Sequence, residues 1–290
     1  MNGFLNLLKP PGMTSSDAVL RVRKALPRGV RVGHGGTLDP DAAGVLPICV
    51  GKATRLFDYI VDKEKSYIAE LTLGIATDTQ DSTGEVVSVR PVTAGETDVK
   101  GILPRFTGEI WQAPPAYSAI KRDGKRMYEL ARRGETVALE KRPVTIYGLE
   151  MTEQVDRRRY LLHVRCGKGA YIRTLCHDIG EALGCGGHMS FLLRDRCGAF
   201  ALEDAVPLEE IGNVADRLAP LDFPLGRYDA LYLGPEQEKA VKNGNLIPAP
   251  GRNEGEVLRV YLLDRFAGMA QADGNGQARF RAMLWENDGQ

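Results

Sequence analysis

Two carboxylates lie two residues apart, at Asp39 and Asp41, in a stretch of the chain that is rich in glycine and proline. The stretch spans residues 33–47 and holds four glycines and two prolines, so it is predicted to be a shaped loop and neither a helix nor a central strand. Because Leu38 and Leu46 accompany the carboxylates, the loop is expected to lie against a core. A carboxylate beside apolar side chains suits covalent chemistry when a cation pairs with it.

The same loop has two other interpretations. A phosphate-binding loop needs glycine-rich backbone followed by Lys-Ser or Lys-Thr, whereas the next lysine is Lys52 and precedes an alanine, so this interpretation is disfavoured. A structural role remains open, in which Asp39 forms an Asx-turn before Pro40. Residue chemistry alone does not choose between that turn and an active site.

The cysteines argue against a disulfide framework and against a metal site. The five cysteines are an odd number, and none belongs to a CxxC pair, which suits reduced thiols in a reducing compartment. Cys176-His177 and Cys185-Gly-Gly-His188 come nearest to metal-ligand spacing. No second pair stands at zinc-site spacing, so no metal is predicted.

Strands and helices are predicted on both sides of the loop. Short strands are expected at residues 4–8 and 48–50, and a helix capped by Ser15 or Ser16 is expected to run to about Leu26. Helices are also expected from Thr54 to about Val61 and from Thr97 to Phe106. Further strands are predicted at residues 65–74, 85–89, 160–166 and 191–194.

Two of these elements can position side chains for chemistry. Alternation in the strand 65–74 places Tyr67 on the same face as the apolar residues Ala69, Leu71 and Leu73. Glycines after the strand 160–166 precede an amphipathic helix, which puts Tyr171 and Arg173 at a strand-to-helix junction. The plainer alternatives are a core tyrosine and a surface salt bridge.

The net charge of zero hides an uneven distribution. Residues 1–60 and residues 115–145 each contain eight Lys/Arg and four Asp/Glu, whereas residues 200–290 contain nine and fifteen. The segment 112–142 interleaves cations with tyrosines, which suits RNA because phosphates attract cations and bases stack on aromatic rings. It is predicted to be an RNA-contacting arm; solvated helix faces are the alternative.

Several separated motifs between about residues 3 and 210 resemble the TruB family of pseudouridine synthases, in the right order. The match is longest in GHGGTLDP followed by AGVLP, at residues 33–47. The others are Lys9-Pro10-Pro11-Gly12, the Lys-x-Tyr of residues 65–67, the polar segment 77–84 and Gly-x-Tyr-Ile-Arg at residues 169–173.

The resemblance assigns roles to individual residues. It makes Asp39 the covalent catalyst, with Asp41 as local rival, and makes Tyr67 the residue that stacks on the target base and Arg173 the partner of the aspartate. A carboxylate at Asp81 is expected to orient a neighbouring group or to form an Asx-turn. The predicted RNA contacts are His34, Lys9, Tyr171, Lys121, Arg122, Lys125, Arg126 and Leu193, the last as part of an apolar pocket wall.

The implied fold is α/β (α+β), with a mixed, largely antiparallel sheet flanked by helices. The implied domains are a catalytic domain at residues 1–225 and a small β-rich PUA-like module at residues 226–290, with short strands at 258–263 and 268–272. The implied reaction converts the uridine at position 55 of the tRNA T-loop to pseudouridine after base flipping, without cofactor or metal. Covalent attack at uracil C6 and attack at ribose C1′ both remain open.

The predicted partner is tRNA, and no guide RNA or obligatory protein partner is expected. With no apolar stretch of membrane-spanning length and no secretory pattern, the protein is expected to be cytoplasmic, and a monomer is the default expectation. Two alternatives remain: an RNA-binding protein without catalysis, and a guide-RNA-dependent relative, which would be expected to carry partner-binding extensions.

Overall fold

The computed structural model describes residues 1–61, 64–115 and 140–285, together with the backbone of residues 121–122 and 125–126. Its α-helices are α1 (Ser15–Lys24), α2 (Phe57–Val61), α3 (Glu96–Ile102), α4 (Ile172–Ala182) and α5 (Glu238–Lys242). Its strands are β1 (Gly3–Lys9), β2 (Val32–His34), β3 (Ala43–Val50), β4 (Lys65–Leu73), β5 (Ile75–Thr77), β6 (Val86–Val89), β7 (Gly108–Gln112), β8 (Lys121–Arg122), β9 (Lys125–Arg126), β10 (Arg142–Gln154), β11 (Arg159–Cys166), β12 (Gly187–Cys197), β13 (Phe200–Ala201), β14 (Val206–Pro207), β15 (Asp229–Leu233), β16 (Ile247–Pro248), β17 (Val257–Leu262), β18 (Arg265–Ala272) and β19 (Gln277–Met283).

A ten-stranded sheet organises the larger part of the chain. Its order is β14-β1-β3-β12-β4-β11-β10-β7, with β13 paired to β12 and β2 paired to β3. Only the pairs β1–β14 and β3–β12 are parallel, so the sheet is mixed and largely antiparallel, which confirms the predicted fold class. The alternation predicted for β4 is also confirmed, because Tyr67, Ala69, Leu71 and Leu73 are all buried.

The predicted loop at residues 33–47 is too long, because much of it is strand. The strand β3 begins at Ala43 and pairs with β1 from Gly44 to Val50, leaving residues 35–42 as the true loop. Pro47 is tolerated in β3 because its nitrogen, which has no hydrogen to donate, faces the edge of β3 that pairs with a neighbour only at its two ends. The Pro47 carbonyl faces the same edge and accepts from the Gly35 N–H. Gly44 has φ of 117°, and a Cβ there would lie 2.2 Å from the Arg194 carbonyl oxygen.

Helix boundaries differ from the predictions by a few residues. Thr14, and neither of the two serines after it, caps α1 in a capping box with Asp17, and the helix ends at Lys24. The segment predicted as a helix from Thr54 is a 3₁₀ turn, Gly51–Leu56, followed by the short α2. Likewise, α3 ends at Ile102 and is followed by a 3₁₀ turn, Leu103–Phe106, because Pro104 has no N–H to donate to the preceding turn.

A second, five-stranded sheet has the order β15-β17-β18-β19-β16. It packs on the back of the larger sheet through a shared core cluster that includes Val45, Met269 and Leu284. Lys52 Nζ also donates to the carbonyl of Leu284, over 2.7 Å. The C-terminal part is therefore β-rich, as predicted; the division into domains after residue 225 stays a prediction.

In the described parts of the chain, no helix combines the length and apolar character that crossing a membrane would require. The same residues contain no group of histidine, cysteine, aspartate and glutamate side chains arranged to hold a metal ion. All five cysteines are free and buried.

Candidate active site

The loop that carries Asp39 is held by hydrogen bonds from several directions. The hydroxyl of Ser15, at the start of α1, accepts from the Leu38 N–H over 2.9 Å and donates to the Leu38 carbonyl over 3.1 Å. The Gly12 N–H donates to the Pro40 carbonyl over 3.0 Å, on the far side of Asp39. Residues 35–42 therefore have a fixed backbone despite their irregular shape, which suits a site that must hold a reactive group in place.

Asp39 forms an ion pair with the buried Arg173. The carboxylate oxygen Oδ2 of Asp39 lies 2.5 Å from Nη2 of Arg173, whose side chain is 7% exposed while that of Asp39 is 39% exposed. Arg173 lies in the first turn of α4, whose N-terminus also favours a nearby negative charge. Asp41 is exposed and does not line the cavity described below, so of these two aspartates Asp39 is the one at the cavity.

Arg173 has a second carboxylate partner, Asp81. Its Nη1 donates to Asp81 Oδ2 over 3.2 Å, and Asp81 is buried in the loop between β5 and β6. The other oxygen of Asp81 accepts from the hydroxyls of Thr79 and Thr83, over 2.7 and 2.6 Å. Asp81 also accepts from the Thr83 N–H, so both predicted interpretations hold: it forms a turn and it orients the arginine.

A cavity of about 200 Å³ opens beside this ion pair. Its lining consists of Thr37, Leu38, Asp39, Tyr67, Ala170, Tyr171, Ile172, Arg173 and Leu192. Tyr67 is 8% exposed, and burial raises the pKa of its hydroxyl, while the charge of Arg194 opposes that rise. The cavity offers an aromatic face, apolar walls and one carboxylate at its rim, a combination suited to a single planar base.

The wall at Tyr171 is fixed by the two strands that flank the predicted arm. Gln112, at the end of β7, is completely buried; its amide accepts from the Tyr171 N–H over 2.9 Å and donates to the Tyr171 carbonyl over 3.2 Å. Arg142, which pairs with Gln112 in the sheet, places its guanidinium 5.2 Å from the centre of the Tyr171 ring. Neither Gln112 nor Arg142 was identified from the sequence, because their partners are more than 25 residues away.

Two of the predicted RNA contacts, Lys9 and Leu193, lie outside the cavity lining. Lys9 is completely buried, and its ammonium donates to the carbonyls of Pro10, Met13 and Pro40 over 2.8–2.9 Å, so it holds the loop and does not face RNA. Burial lowers its pKa to about 8, against the opposing effect of the two loop aspartates. Leu193 lies on the opposite face of β12 from the cavity, which is lined by its neighbour Leu192.

The other predicted contacts divide into two groups. His34 lies on β2 outside the cavity lining, half-buried, and burial lowers its pKa, so the ring is neutral at pH 7. Lys121, Arg122, Lys125 and Arg126 form the paired strands β8 and β9, and their side chains lie outside the described residues. The remainder of the arm within residues 116–139 also lies outside them.

Comparison with known proteins identifies this combination of fold and site. The model of the TruB family pseudouridylate synthase N-terminal domain matches residues 23–172, and the model of the tRNA pseudouridylate synthase B C-terminal domain matches residues 173–221. The chain is 48% identical to a tRNA pseudouridine synthase B of Alkaliphilus oremlandii, with 92% of each chain covered. It is 45% identical to that of Streptococcus pneumoniae, with 95% of this chain and 97% of the relative covered.

Solved structures agree with the fold. A structure described as a Cbf5–Nop10–Gar1 complex matches with a TM-score of 0.73 and 27% identity, covering 98% of this chain and 84% of the other. A structure of an H/ACA RNP bound to a substrate RNA matches with a TM-score of 0.76 and 24% identity, covering 99% and 86%.

The large mixed sheet carries an aspartate–arginine pair at the rim of a cavity lined by tyrosines. Together with these similarities, it identifies the protein as a pseudouridine synthase. Within that class, the chain belongs to the TruB family.

Proposed function

We propose that this tRNA pseudouridine synthase isomerises the uridine at position 55 of the T-loop, with Asp39 as the covalent catalyst. The observation that carries the proposal is the Asp39–Arg173 pair at the rim of the cavity that contains Tyr67. The long similarity to curated tRNA pseudouridine synthase B proteins supports the choice of substrate.

In the proposed reaction, the target uridine leaves its stack and enters the cavity against Tyr67. Unstacking the base costs a few kcal/mol, which contacts with the pocket offset. The ion pair with Arg173 holds the Asp39 side chain in place and directs its free carboxylate oxygen, so that it can attack either uracil C6 or ribose C1′.

The bond changes are those of an isomerisation. The bond between C1′ and N1 breaks, the base rotates, and a bond forms between C1′ and C5. The carboxylate then leaves, C5 loses its proton and N1 gains one, so atoms and electrons balance without any oxidant or cofactor. Tyr67, close to the base, is the candidate to relay a proton, although its raised pKa requires an activating group.

We also propose that the enzyme acts as a monomer in the cytoplasm, without guide RNA or a partner protein. The chain covers 92% or more of the two bacterial relatives described above, whereas it covers 84–86% of the two chains from the solved complexes. The guide-dependent interpretation is tested by assaying the purified chain alone on a short T-stem-loop RNA. A requirement for another macromolecule would contradict the proposal.

The decisive experiment compares the wild-type protein, Asp39→Asn and Asp41→Asn on that RNA. Asp41→Asn is the matched control, because it makes the same change two residues away at an exposed position outside the cavity. We expect wild type and Asp41→Asn to form pseudouridine, and Asp39→Asn to bind RNA without converting it. If all three proteins bound the RNA tightly without converting it, the result would support the interpretation as an RNA-binding protein without catalysis. Conversion by Asp39→Asn would exclude Asp39 as the covalent group.

A further inference from the structure

A buried arginine, Arg194, lies beneath the catalytic loop and has no role in the proposal above. Its side chain is 1% exposed. Its Nε donates to the Val45 carbonyl over 2.7 Å, and its Nη1 and Nη2 donate to the carbonyls of Thr37 and Gly36 over 3.3 and 3.1 Å. These acceptors come from both sides of Asp39 in sequence, so one guanidinium joins the two limbs of the loop.

The sheet register explains how one side chain reaches the loop and Tyr67 together. Arg194 on β12 pairs with Gly44 on β3 and, on the other side, with Tyr67 on β4. The missing side chain at Gly44 allows the backbones of β3 and β12 to approach closely at this point. Beyond Gly44, the next residue in the row is Lys9, which holds the Pro40 carbonyl. Two buried cations thus support the loop from below.

The charge of Arg194 is not explained by an ion pair. Within the described part of the chain, its guanidinium binds backbone carbonyls and pairs with no carboxylate. A neutral amide can bind a carbonyl without the cost of burying a charge, so tying the loop does not by itself require an arginine. The charge acts on the side chains around it: it opposes the rise that burial causes in the pKa of Tyr67, and it adds to the lowering that burial causes in the pKa of His34.

We infer that Arg194 is a positioning residue for the reaction, which fixes the Asp39 loop and the Tyr67 hydroxyl relative to one another. A guanidinium is a planar fork whose separate N–H groups reach acceptors in several directions, whereas an ammonium is a compact point charge. Arginine can therefore hold both limbs of the loop and keep a positive charge beside Tyr67. This inference rests on the proposed function, because it concerns the same two site residues.

The test uses Arg194→Lys, which keeps the charge, and Arg194→Gln, which keeps donors without the charge. Arg196→Lys is the matched control, since Arg196 lies on the same strand but is exposed, with Glu203 as its partner at 3.6 Å. The tRNA dissociation constant and the single-turnover rate are measured with the enzyme in saturating excess. Under these conditions the rate does not depend on the fraction of enzyme that is folded.

We expect Arg194→Lys to bind tRNA as wild type does and to react about 100-fold more slowly, as displacement of a reacting group by about 1 Å would predict. Arg194→Gln is expected to react more slowly still, because it also loses the charge beside Tyr67, and Arg196→Lys is expected to react at the wild-type rate. Rates for both Arg194 variants within about threefold of wild type, a change of about 0.7 kcal/mol, would overturn the inference. A loss confined to binding, or failure of both variants to fold, would also overturn it. Wild-type enzyme that binds tRNA without converting it would instead refute the proposed function.

Discussion

Replacing Asp81 by asparagine tests whether Arg173 needs both of its carboxylate partners. The substitution keeps the size of the side chain and an oxygen that can accept from Thr79 and Thr83. It removes the negative charge 3.2 Å from Arg173, in a pair whose side chains are only 7% and 13% exposed. Asp39 remains as the single ionised partner of the arginine.

The expected cost follows from this distance and burial. At 3.2 Å, the Coulomb attraction is about 5 kcal/mol with an effective dielectric constant of about 20, and the desolvation of the two ions offsets part of it. We therefore expect Asp81→Asn to lower the free energy of unfolding by about 3 kcal/mol, which urea unfolding measures. The single-turnover rate should fall by about 100-fold, because Arg173 is then held from one side only and no longer fixes Asp39.

Glu96→Gln provides the control for this experiment. It makes the same carboxylate-to-amide change in an exposed pair, where Glu96 and Lys100 are about half exposed. Solvent screens such a pair, so the expected loss is less than about 1 kcal/mol, with no effect on the rate. If Asp81→Asn were as stable and as fast as this control, the claim that Asp81 supports Arg173 would be refuted.

Two further predictions concern the packing around the site. Gln112→Leu should lower the free energy of unfolding by about 2–4 kcal/mol, because it leaves the Tyr171 N–H without its buried acceptor. Gln154→Leu, at an exposed position, is the control and should change urea unfolding little. Equal losses of unfolding free energy in the two variants would contradict the role given to Gln112. The free energy of unfolding should also fall as pH rises above 9, because burial raises the pKa of three thiols from 9.0 to about 12 and only the unfolded chain loses these protons between the two values. Measured in reductant, this fall should be shallower for Cys176→Ala than for the wild-type protein. An identical slope for the two proteins would contradict this assignment. The thiols are those of Cys49, Cys166 and Cys176.

Part of the site could be predicted from local sequence patterns. The alternation of β4 was enough to place Tyr67 on the buried face, because side chains of a strand alternate strictly. The prediction for Leu193 does not use alternation, because it treats residues 191–194 together as a wall of the pocket. In the regular stretch of β12 between Phe191 and Arg194, alternation turns Leu192 towards the cavity and Leu193 to the opposite face.

The resemblance of the motifs to the TruB family predicted the mixed, largely antiparallel sheet. The residues themselves predicted the loop that carries Asp39 and the position of Arg173 at a strand-to-helix junction. These depend on local periodicity, on backbone limits set by glycine and proline, and on motifs whose residues are close together in the chain. Which groups meet depends on the tertiary structure. It turned Lys9 inward, gave Arg173 a second carboxylate in Asp81, and placed Gln112 and Arg194 beneath the site, because such contacts join residues far apart in sequence and depend on strand register and burial.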